Sequence, residues 1–378
     1  MRGFAQAAMN TTHSTFNELL PPYTVVGGNE RRASTGLSAV ILNRGRYSRF
    51  GFFEELEKAG FDYVLSMESS SSRYDLEDLS GSFPFIRFVL LKESVSPGEE
   101  INLASMELAS PLFFVLHSDL KILRGGGAER MAERLLTKGQ DSPAEASSYK
   151  RLCTVPLIQD GRSETMPTLI APALVPEKNI LFADAKNIIK TIPFIPAKEG
   201  LPSLYPFDGN GIYDRERFIR LGGFDPSIKN FYWQLMDFGF RSKLWGEEIA
   251  ATQMIKLSYE GEIPEEDRTA GEDSLKFYLK NIAPVFRGDY AHIPFRRFPG
   301  YLRRRGELFD AWKEFNAGRD WVRENRYRFT SDARTIAERF PVITGGAPGP
   351  GMEGEIPDEA ADDAPDGAPP GAGGEEEL

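Results

Sequence analysis

The stretch Asn102-Leu-Ala-Ser-Met-Glu-Leu-Ala-Ser-Pro-Leu112-Phe-Phe-Val-Leu116-His117-Ser118-Asp119 decides the reading of this chain. A polar helix start runs into an unbroken apolar segment, Leu112 to Leu116, of the length of a buried strand. The strand ends in His-Ser-Asp. Two potential ligands, His117 and Asp119, one residue apart at the C-terminal tip of a central strand, suit a divalent metal and the diphosphate it holds. A second block lies downstream, Gly222-Gly223-Phe224-Asp225 followed by Trp233-Gln-Leu-Met-Asp237-Phe-Gly-Phe-Arg241.

Upstream of the decisive stretch, strands and helices alternate with short connections. Strands are expected at residues 37–42, 63–67 and 86–91, and helices at 50–59, around Leu76 and Leu79, and at 98–109. This pattern predicts an α/β fold, a mostly parallel central sheet with helices on both faces. Downstream, a strand is expected at 153–158, short helices at 214–221 and 236–245, and an edge strand at 249–257. Residues 160–206 are Pro-rich and read as a loop region of the functional kind.

Four regions follow. Residues 1–35 lack periodicity and read as an irregular N-terminal arm. Residues 36–273 form the α/β domain, and residues 274–344 a basic helical extension. Residues 345–378 are Gly, Pro, Ala and acids, which cannot bury enough apolar surface to offset ordering entropy, so a disordered tail is expected.

Composition narrows the classes. The chain has 378 residues, 41% hydrophobic, enough for a sizeable core. No apolar run approaches the roughly 20 residues that span a bilayer. The first twenty residues contain no apolar segment of the secretory type, so a cytoplasmic location is expected. The single cysteine, Cys153, sits in an apolar context and reads as an inert core thiol. The net charge is −11, but ten acids and no Lys or Arg lie after Pro341, which leaves −1 for the rest. The acidity belongs to the tail.

The two blocks together resemble the family 2 glycosyltransferases, which have the A-type glycosyltransferase fold. That family places an Asn fifteen residues before the first Asp of a D-x-D motif at a strand end; here Asn102 precedes His117 at that spacing, and Asp119 takes the motif's last place. The family also has a G-G-F-D turn, matched by Gly222 to Asp225, and an E-D-x-D-L-x-x-R helix start, matched in part by Asp237, Phe238 and Arg241. The resemblance covers roughly residues 36–260.

The resemblance implies a nucleotide-diphosphate sugar as donor and a divalent metal, Mn²⁺ or Mg²⁺, held by Asp119 and His117. It implies that Asn43, Arg44, Glu68, Ser70, Asn102 and Ser118 meet the nucleotide. His117 replaces an Asp; histidine suits Mn²⁺ better than Mg²⁺ and removes a negative charge. The other reading of His117 is a hydrogen-bonded histidine at a strand end, and that of Glu68 a solvated turn. Gln234 and Leu235 stand at the family's E-D pair, whose Asp takes the acceptor proton. Leucine cannot act as a base, so Asp237 and Asp208 are the candidate catalytic acids, with a helix-orienting pair to Arg241 and a turn residue as their other readings. Ser258 and Tyr259 stand near the place of the family's downstream histidine.

Two function classes stay open. One is a glycosyltransferase acting with inversion on a saccharide or lipid-linked acceptor. The other is a catalytically impaired binding or scaffold protein on the same fold. The segment from Arg296 to Arg305 interleaves aromatics with cations. It reads as a solvated face, as a peripheral contact with the inner face of an anionic membrane, or as a nucleic-acid surface, although no nucleic-acid module is recognisable.

Overall fold

The computed structural model describes residues 21–28, 33–44, 50–68, 76–124, 126–137, 151–159, 168–174, 189–196 and 199–339. The tail, residues 345–378, lies outside them. In chain order the elements are β1 (Tyr23–Gly27), β2 (Leu37–Leu42), α1 (Phe50–Ala59), β3 (Val64–Glu68), α2 (Leu76–Ser82), β4 (Ile86–Leu91), α3 (Pro97–Glu107), β5 (Leu112–His117), β6 (Leu120–Arg124), α4 (Ala128–Thr137) and β7 (Arg151–Gln159). They continue with β8 (Thr168–Leu174), β9 (Ile189–Pro196), β10 (Gly211–Asp214), α5 (Arg215–Leu221), α6 (Phe231–Leu244), β11 (Glu248–Tyr259), α7 (Glu272–Phe277), β12 (Val285–Arg287), β13 (Tyr290–His292), α8 (Phe298–Arg305), α9 (Leu308–Asn325) and α10 (Ala333–Arg339).

One sheet carries the site, in the order β1-β4-β3-β2-β5-β10-β7-β11-β6. Its centre, β4-β3-β2-β5, is parallel. A strand buried on both faces is largely apolar, and Leu37–Leu42 is buried at all six positions, its one polar residue, Ser38, sharing a hydrogen bond with Ser110 at 2.7 Å. Alternate side chains point to opposite faces. Val40, Leu42, Leu65, Met67, Phe113 and Val115 face one core, with Ile101 and Ala104 of α3 and Leu235 and Phe238 of α6. Ala39, Ile41, Val64, Phe88, Phe114 and Leu116 face the other, with Phe53 and Leu56 of α1, Leu79 of α2 and Met131 of α4. The parallel centre with helices on both faces is the expected fold.

Local chemistry sets the helix starts. Ser96 and Glu99 form a reciprocal capping box on α3, with Pro97 in the first turn. The Asp214 side chain caps α5, and Asn230 caps α6 by accepting from the Trp233 N–H at 3.1 Å. The Asn230 cap starts α6 five residues earlier than its apolar pattern suggests. Gly222 closes α5 at φ 96°, a conformation that costs glycine nothing.

Three expectations are corrected. The arm before residue 36 is not wholly irregular, because Tyr23–Gly27 pairs antiparallel with β4 as an edge strand. Tyr23 Oη anchors it by donating to Glu107 Oε1 at 2.5 Å. β11 is not an edge, since it lies parallel to β7 and antiparallel to β6. The region after Ser274 is not purely helical either, as β12 and β13 form a hairpin within it. Cys153 is a buried free thiol on β7, and burial pushes its pKa well up.

The C-terminal helices pack on the α/β body within one compact unit. Trp321 stacks on Trp245 with ring centroids 6.1 Å apart. Several of the basic residues have internal partners. Arg297 is buried and donates to the Ile282 carbonyl at 2.9 Å. Arg304 lies over the Tyr278 ring, and Arg305 pairs with Glu314 at 3.1 Å. Arg296 and Arg303 are exposed.

Candidate active site

Three parallel strands end side by side, and each delivers polar groups at its carboxyl end. β2 is followed by Asn43 and Arg44, β3 ends in Glu68, and β5 leads through His117 to Ser118 and Asp119. The loops are stitched by backbone bonds, Asn43 N–H to the Met67 carbonyl at 3.3 Å and Ser118 N–H to the Leu42 carbonyl at 3.0 Å. Glu68 is fully buried. Its carboxylate accepts from Asn43 Nδ2 at 2.8 Å and from Ser66 Oγ at 2.6 Å. Ser118 Oγ accepts from the Arg44 N–H at 3.1 Å and donates to Asn43 Oδ1 at 3.4 Å. The crevice outside the carboxyl ends of such strands is where open α/β sheets bind ligands.

Asp208 enters from a different part of the chain. It sits in a tight turn, Phe207–Gly209, just before β10, and its backbone is left-handed at φ 55°, a conformation that Asp tolerates better than most residues. β10 lies beside β5, so the turn meets the His-Ser-Asp tip. The Asp208 carboxylate receives the Arg44 guanidinium and the Tyr259 hydroxyl, the latter at 2.9 Å. His117 Nε2 lies 2.8 Å from the Asp208 carbonyl oxygen and 3.2 Å from Arg44 Nη2. Arg44 Nη1 also donates to Asp119 Oδ2 at 3.1 Å. One guanidinium thus joins two carboxylates that approach from opposite sides of the site.

The electrostatics follow from this geometry. Burial lowers the pKa of Arg44, but Asp208 and Asp119 outweigh it, and the guanidinium holds its proton more tightly than usual. Burial depresses His117, and the neighbouring Arg44 charge adds to that against the pull of Asp208, so the ring is neutral near pH 7. Burial, with the Asp208 charge, pushes the Tyr259 hydroxyl well up. Among the described residues, Asp119 Oδ1, His117 Nδ1 and the nearby Asn210 Oδ1 are buried without a hydrogen-bond partner.

The Oδ2 atoms of Asp119 and Asp208 both accept from Arg44, and His117 Nε2 lies against the Asp208 carbonyl, so these three atoms are already engaged within the chain. Among the described residues, no group of three His, Cys, Asp or Glu side chains is placed to hold a metal ion.

The structure brings Asn43, Arg44, Glu68, His117, Ser118, Asp119 and Asp208 together, and leaves two of the sequence candidates elsewhere. Asn102 clamps the Gly-Gly-Phe-Asp turn, donating to the Phe224 carbonyl at 2.7 Å and accepting from the Phe224 N–H at 2.8 Å. With both ends of its amide engaged there, it does not reach the cluster. Asp237 is fully buried; Arg241 donates to its Oδ2 at 2.8 Å and Asn281 to its Oδ1 at 2.7 Å. This is its helix-orienting reading. Ser70 lies outside the described residues.

Tyr259 and Asn210 join the cluster without having been singled out for it. Asn210 Nδ2 donates to Tyr259 Oη at 3.0 Å, and Tyr259 pairs with Leu120, the residue after Asp119. The available signal was the length of β11, whose last residue must lie beside the site once the strand pairs with β6.

Next to Asp208 opens a cleft of about 280 Å³. Phe207, Phe231, Tyr232 and Leu235 form its apolar wall, and Glu265, Glu266 and Asp267 its acidic rim. Leu235, at the place of the family's base, faces this cleft. Asp208 touches both the cleft and the polar cluster.

No protein-family model matches the chain, and no curated protein matches it. Among solved structures it is similar to GalNAc-T7 with UDP, GalNAc and Mn²⁺, at TM-score 0.45 and 11% identity, over 81% of this chain and 58% of that one. It is similar to S. aureus TarS 1–349 in complex with UDP, at TM-score 0.38 and 11% identity, over 75% and 70% of the two chains. It is also similar to the mannosyltransferase PcManGT from Pyrobaculum calidifontis in complex with GDP-Man and Mn²⁺, at TM-score 0.37 and 10% identity, over 84% and 75%.

Proposed function

We propose that this protein binds a nucleotide-diphosphate sugar at the carboxyl ends of β2, β3 and β5 and transfers the sugar to an acceptor in the adjoining cleft. The observation that carries this reading is the convergence of Asn43, Arg44, Glu68, Ser118 and Asp119 at three adjacent strand ends beside an aromatic cleft. Asn43 and the buried Glu68 carboxylate meet the nucleoside. Asp119 Oδ1, an acceptor with no partner, receives a hydroxyl of the donor. Arg44 meets the diphosphate.

Transfer is proposed with inversion in a single displacement. The acceptor oxygen bonds to the anomeric carbon as the bond from that carbon to the diphosphate oxygen breaks. The electron pair leaves with the nucleoside diphosphate. The acceptor proton passes to Asp208, the carboxylate that touches both the polar cluster and the cleft. General-base help of this kind contributes typically about 10²–10⁴-fold. The aromatic wall suits the apolar face of a saccharide or a lipid-linked sugar. Metal ligation by Asp119 and His117 is not used in any step, because Arg44 occupies their Asp119 side.

The test is calorimetric titration with UDP and GDP, followed by a screen of sugar donors for hydrolysis and transfer. Saturable binding of one nucleotide diphosphate, and turnover lost in Asp208→Asn, is the expected result. Failure of every nucleotide diphosphate to bind would sink the proposal. A second reading, binding without transfer, is favoured by Leu235 in the cleft wall and by the burial of Asp237. Binding without turnover of any donor would select it.

Peripheral contact with an anionic membrane is proposed through the exposed Arg296 and Arg303 beside Phe295, Leu308, Phe309 and Trp312, which are all exposed. Among the described residues, no helix is long and apolar enough to cross a membrane. Co-sedimentation with anionic vesicles that weakens from low to physiological salt is expected. Equal binding to neutral vesicles, or none to either, would reject the contact.

A further inference from the structure

The proposed nucleotide site has an acidic pair, Asp119 and Asp208, of the kind that elsewhere collects a divalent cation. Here a cation is already there, and it is part of the chain. Arg44 Nη1 donates to Asp119 Oδ2 at 3.1 Å, and its Nη2 to Asp208 Oδ2. The Arg44 backbone N–H donates to Ser118 Oγ, which fixes the base of the side chain at the β5 tip. Its side chain is 24% exposed, so the guanidinium forms part of the site's accessible surface. A guanidinium has five N–H donors in a fixed fork, and the two bonds to the carboxylates leave others for a further acceptor.

We propose that Arg44 is the resident cation of this site: it takes the place of a divalent metal, bridging Asp119 and Asp208 in the free protein and holding the diphosphate of the donor when that arrives. Three features support this beyond proximity. A guanidinium matches two phosphate oxygens at once, which a lysine in the same place could not do. His117 Nε2 packs against the pair's own atoms, 2.8 Å from the Asp208 carbonyl oxygen and 3.2 Å from Arg44 Nη2, so the ring is engaged by the arginine-centred arrangement itself. The charge also suits an anion better once Arg44 turns outward, because the diphosphate then meets a positive group in front of the two acids. As Arg44 shifts toward phosphate, the Asp208 carboxylate keeps the hydroxyl of Tyr259 and exchanges the salt bridge for the incoming acceptor. Donor binding and release of the proposed base are thereby one movement.

The inference rests on the nucleotide reading above, and its test separates the two. The full chain is titrated with UDP and GDP in EDTA and in MnCl₂. The expected result is binding of one nucleotide with the same affinity, within about twofold, in both buffers. Arg44→Ala should weaken binding in EDTA by about 10- to 100-fold, the range for losing a charge-assisted hydrogen bond. Arg44→Lys, which keeps the charge and is the milder change if the alanine variant does not fold, should recover part of that loss. Mn²⁺ alone should give no saturable heat with the wild-type protein. Wild-type binding that vanishes in EDTA and returns with Mn²⁺ would overturn the inference and leave the nucleotide reading standing. Unchanged affinity of Arg44→Ala in EDTA, or saturable Mn²⁺ binding without nucleotide, would overturn it too. Absence of nucleotide binding in both buffers would remove both the inference and the reading beneath it.

Discussion

Replacing Asp237 by Ala separates a structural carboxylate from a catalytic one. Asp237 is fully buried in the middle of α6, and its two oxygens accept from Arg241 Nε at 3.2 Å, Arg241 Nη2 at 2.8 Å and Asn281 Nδ2 at 2.7 Å. Arg241 is itself buried and also donates to the carbonyls of Leu221 and Gly223, each at 2.7 Å. Removing the carboxylate leaves a buried guanidinium with two neutral acceptors and no countercharge. Breaking one partner of a buried ion pair costs about 3–5 kcal/mol. For a body of this size each kcal/mol lowers the melting temperature by roughly 1.5 °C, so Asp237→Ala should melt about 4–7 °C below wild type. Differential scanning calorimetry measures it. Asp237→Asn, which keeps the volume and one acceptor, should lie between the two. Nucleotide affinity below the melting range should be unchanged, because no bond described here runs from Asp237 to the strand-end cluster. A variant that melts within 1 °C of wild type yet loses all transfer would refute this reasoning and return Asp237 to the active site.

Three further outcomes follow from the same structure. Asn102→Ala leaves the buried Phe224 N–H and carbonyl unpaired and should cost about 2–4 kcal/mol in urea unfolding; a loss under 0.5 kcal/mol would show that the turn holds without the clamp. Burial raises the pKa of Asp225, but Lys280 and the hydrogen bonds from Ser227 outweigh it and hold the group at about 2, below its ordinary value. A depressed carboxylate contributes stability above its unfolded pKa and loses it as pH falls through the folded one. The wild-type advantage over Asp225→Asn should therefore shrink by about 2 kcal/mol between pH 5 and pH 2, and an advantage independent of pH would contradict the pairing. Gly239→Ala places a Cβ into the Leu204 carbonyl and 2.9 Å from Tyr205 Cβ, so it should destabilise by about 1–3 kcal/mol despite the gain in helix propensity; a stabilised variant would mean that α6 can move away from Leu204.

The parallel centre was legible because its residues leave no alternative. Five apolar residues and one serine at Leu37–Leu42, bounded by turn residues and followed by a helix, read as a strand covered on both faces. The strand-end residues were legible for the same reason, since polar groups directly after such strands have one place to go. What the sequence hid depends on long-range pairing. Asp208 lies 91 residues from His117 and meets it only because β10 runs antiparallel beside β5. Tyr259 reaches Asp208 through the register of β11 on β6, which no local pattern encodes. The β1 strand was missed because three of its five residues are exposed, as befits an edge with little apolar signal. The length of α6 was underestimated because its first turn is capped by Asn230 and carries aromatics whose spacing fits no single face.

The two sequence blocks that suggested the fold do different work in it. The Gly-Gly-Phe-Asp turn and the Asp237–Arg241 pair form one structural unit. Asn102 holds Phe224, Arg241 holds the carbonyls of Leu221 and Gly223, and Gln234 donates to the Asp225 carbonyl at 3.1 Å and to Ser96 at 2.8 Å. That unit locks α3, the turn and α6 into one layer beneath the sheet. It needs hydrogen-bonding groups of fixed shape, and Gln234 meets that need as well as a carboxylate could. The His-Ser-Asp tip lies buried at the carboxyl end of β5, and there the chemistry is set by charge. On the proposed reading the neutral His117 and the cationic Arg44 belong to a single arrangement: the imidazole adds no negative charge beside Asp119 and Asp208, and with the buried Glu68 the strand-end cluster holds three carboxylates and one cation. On the proposed reading the tip is organised around an arginine, while Gln234 through its hydrogen bonds and Asp237 through its buried ion pair hold the scaffold together.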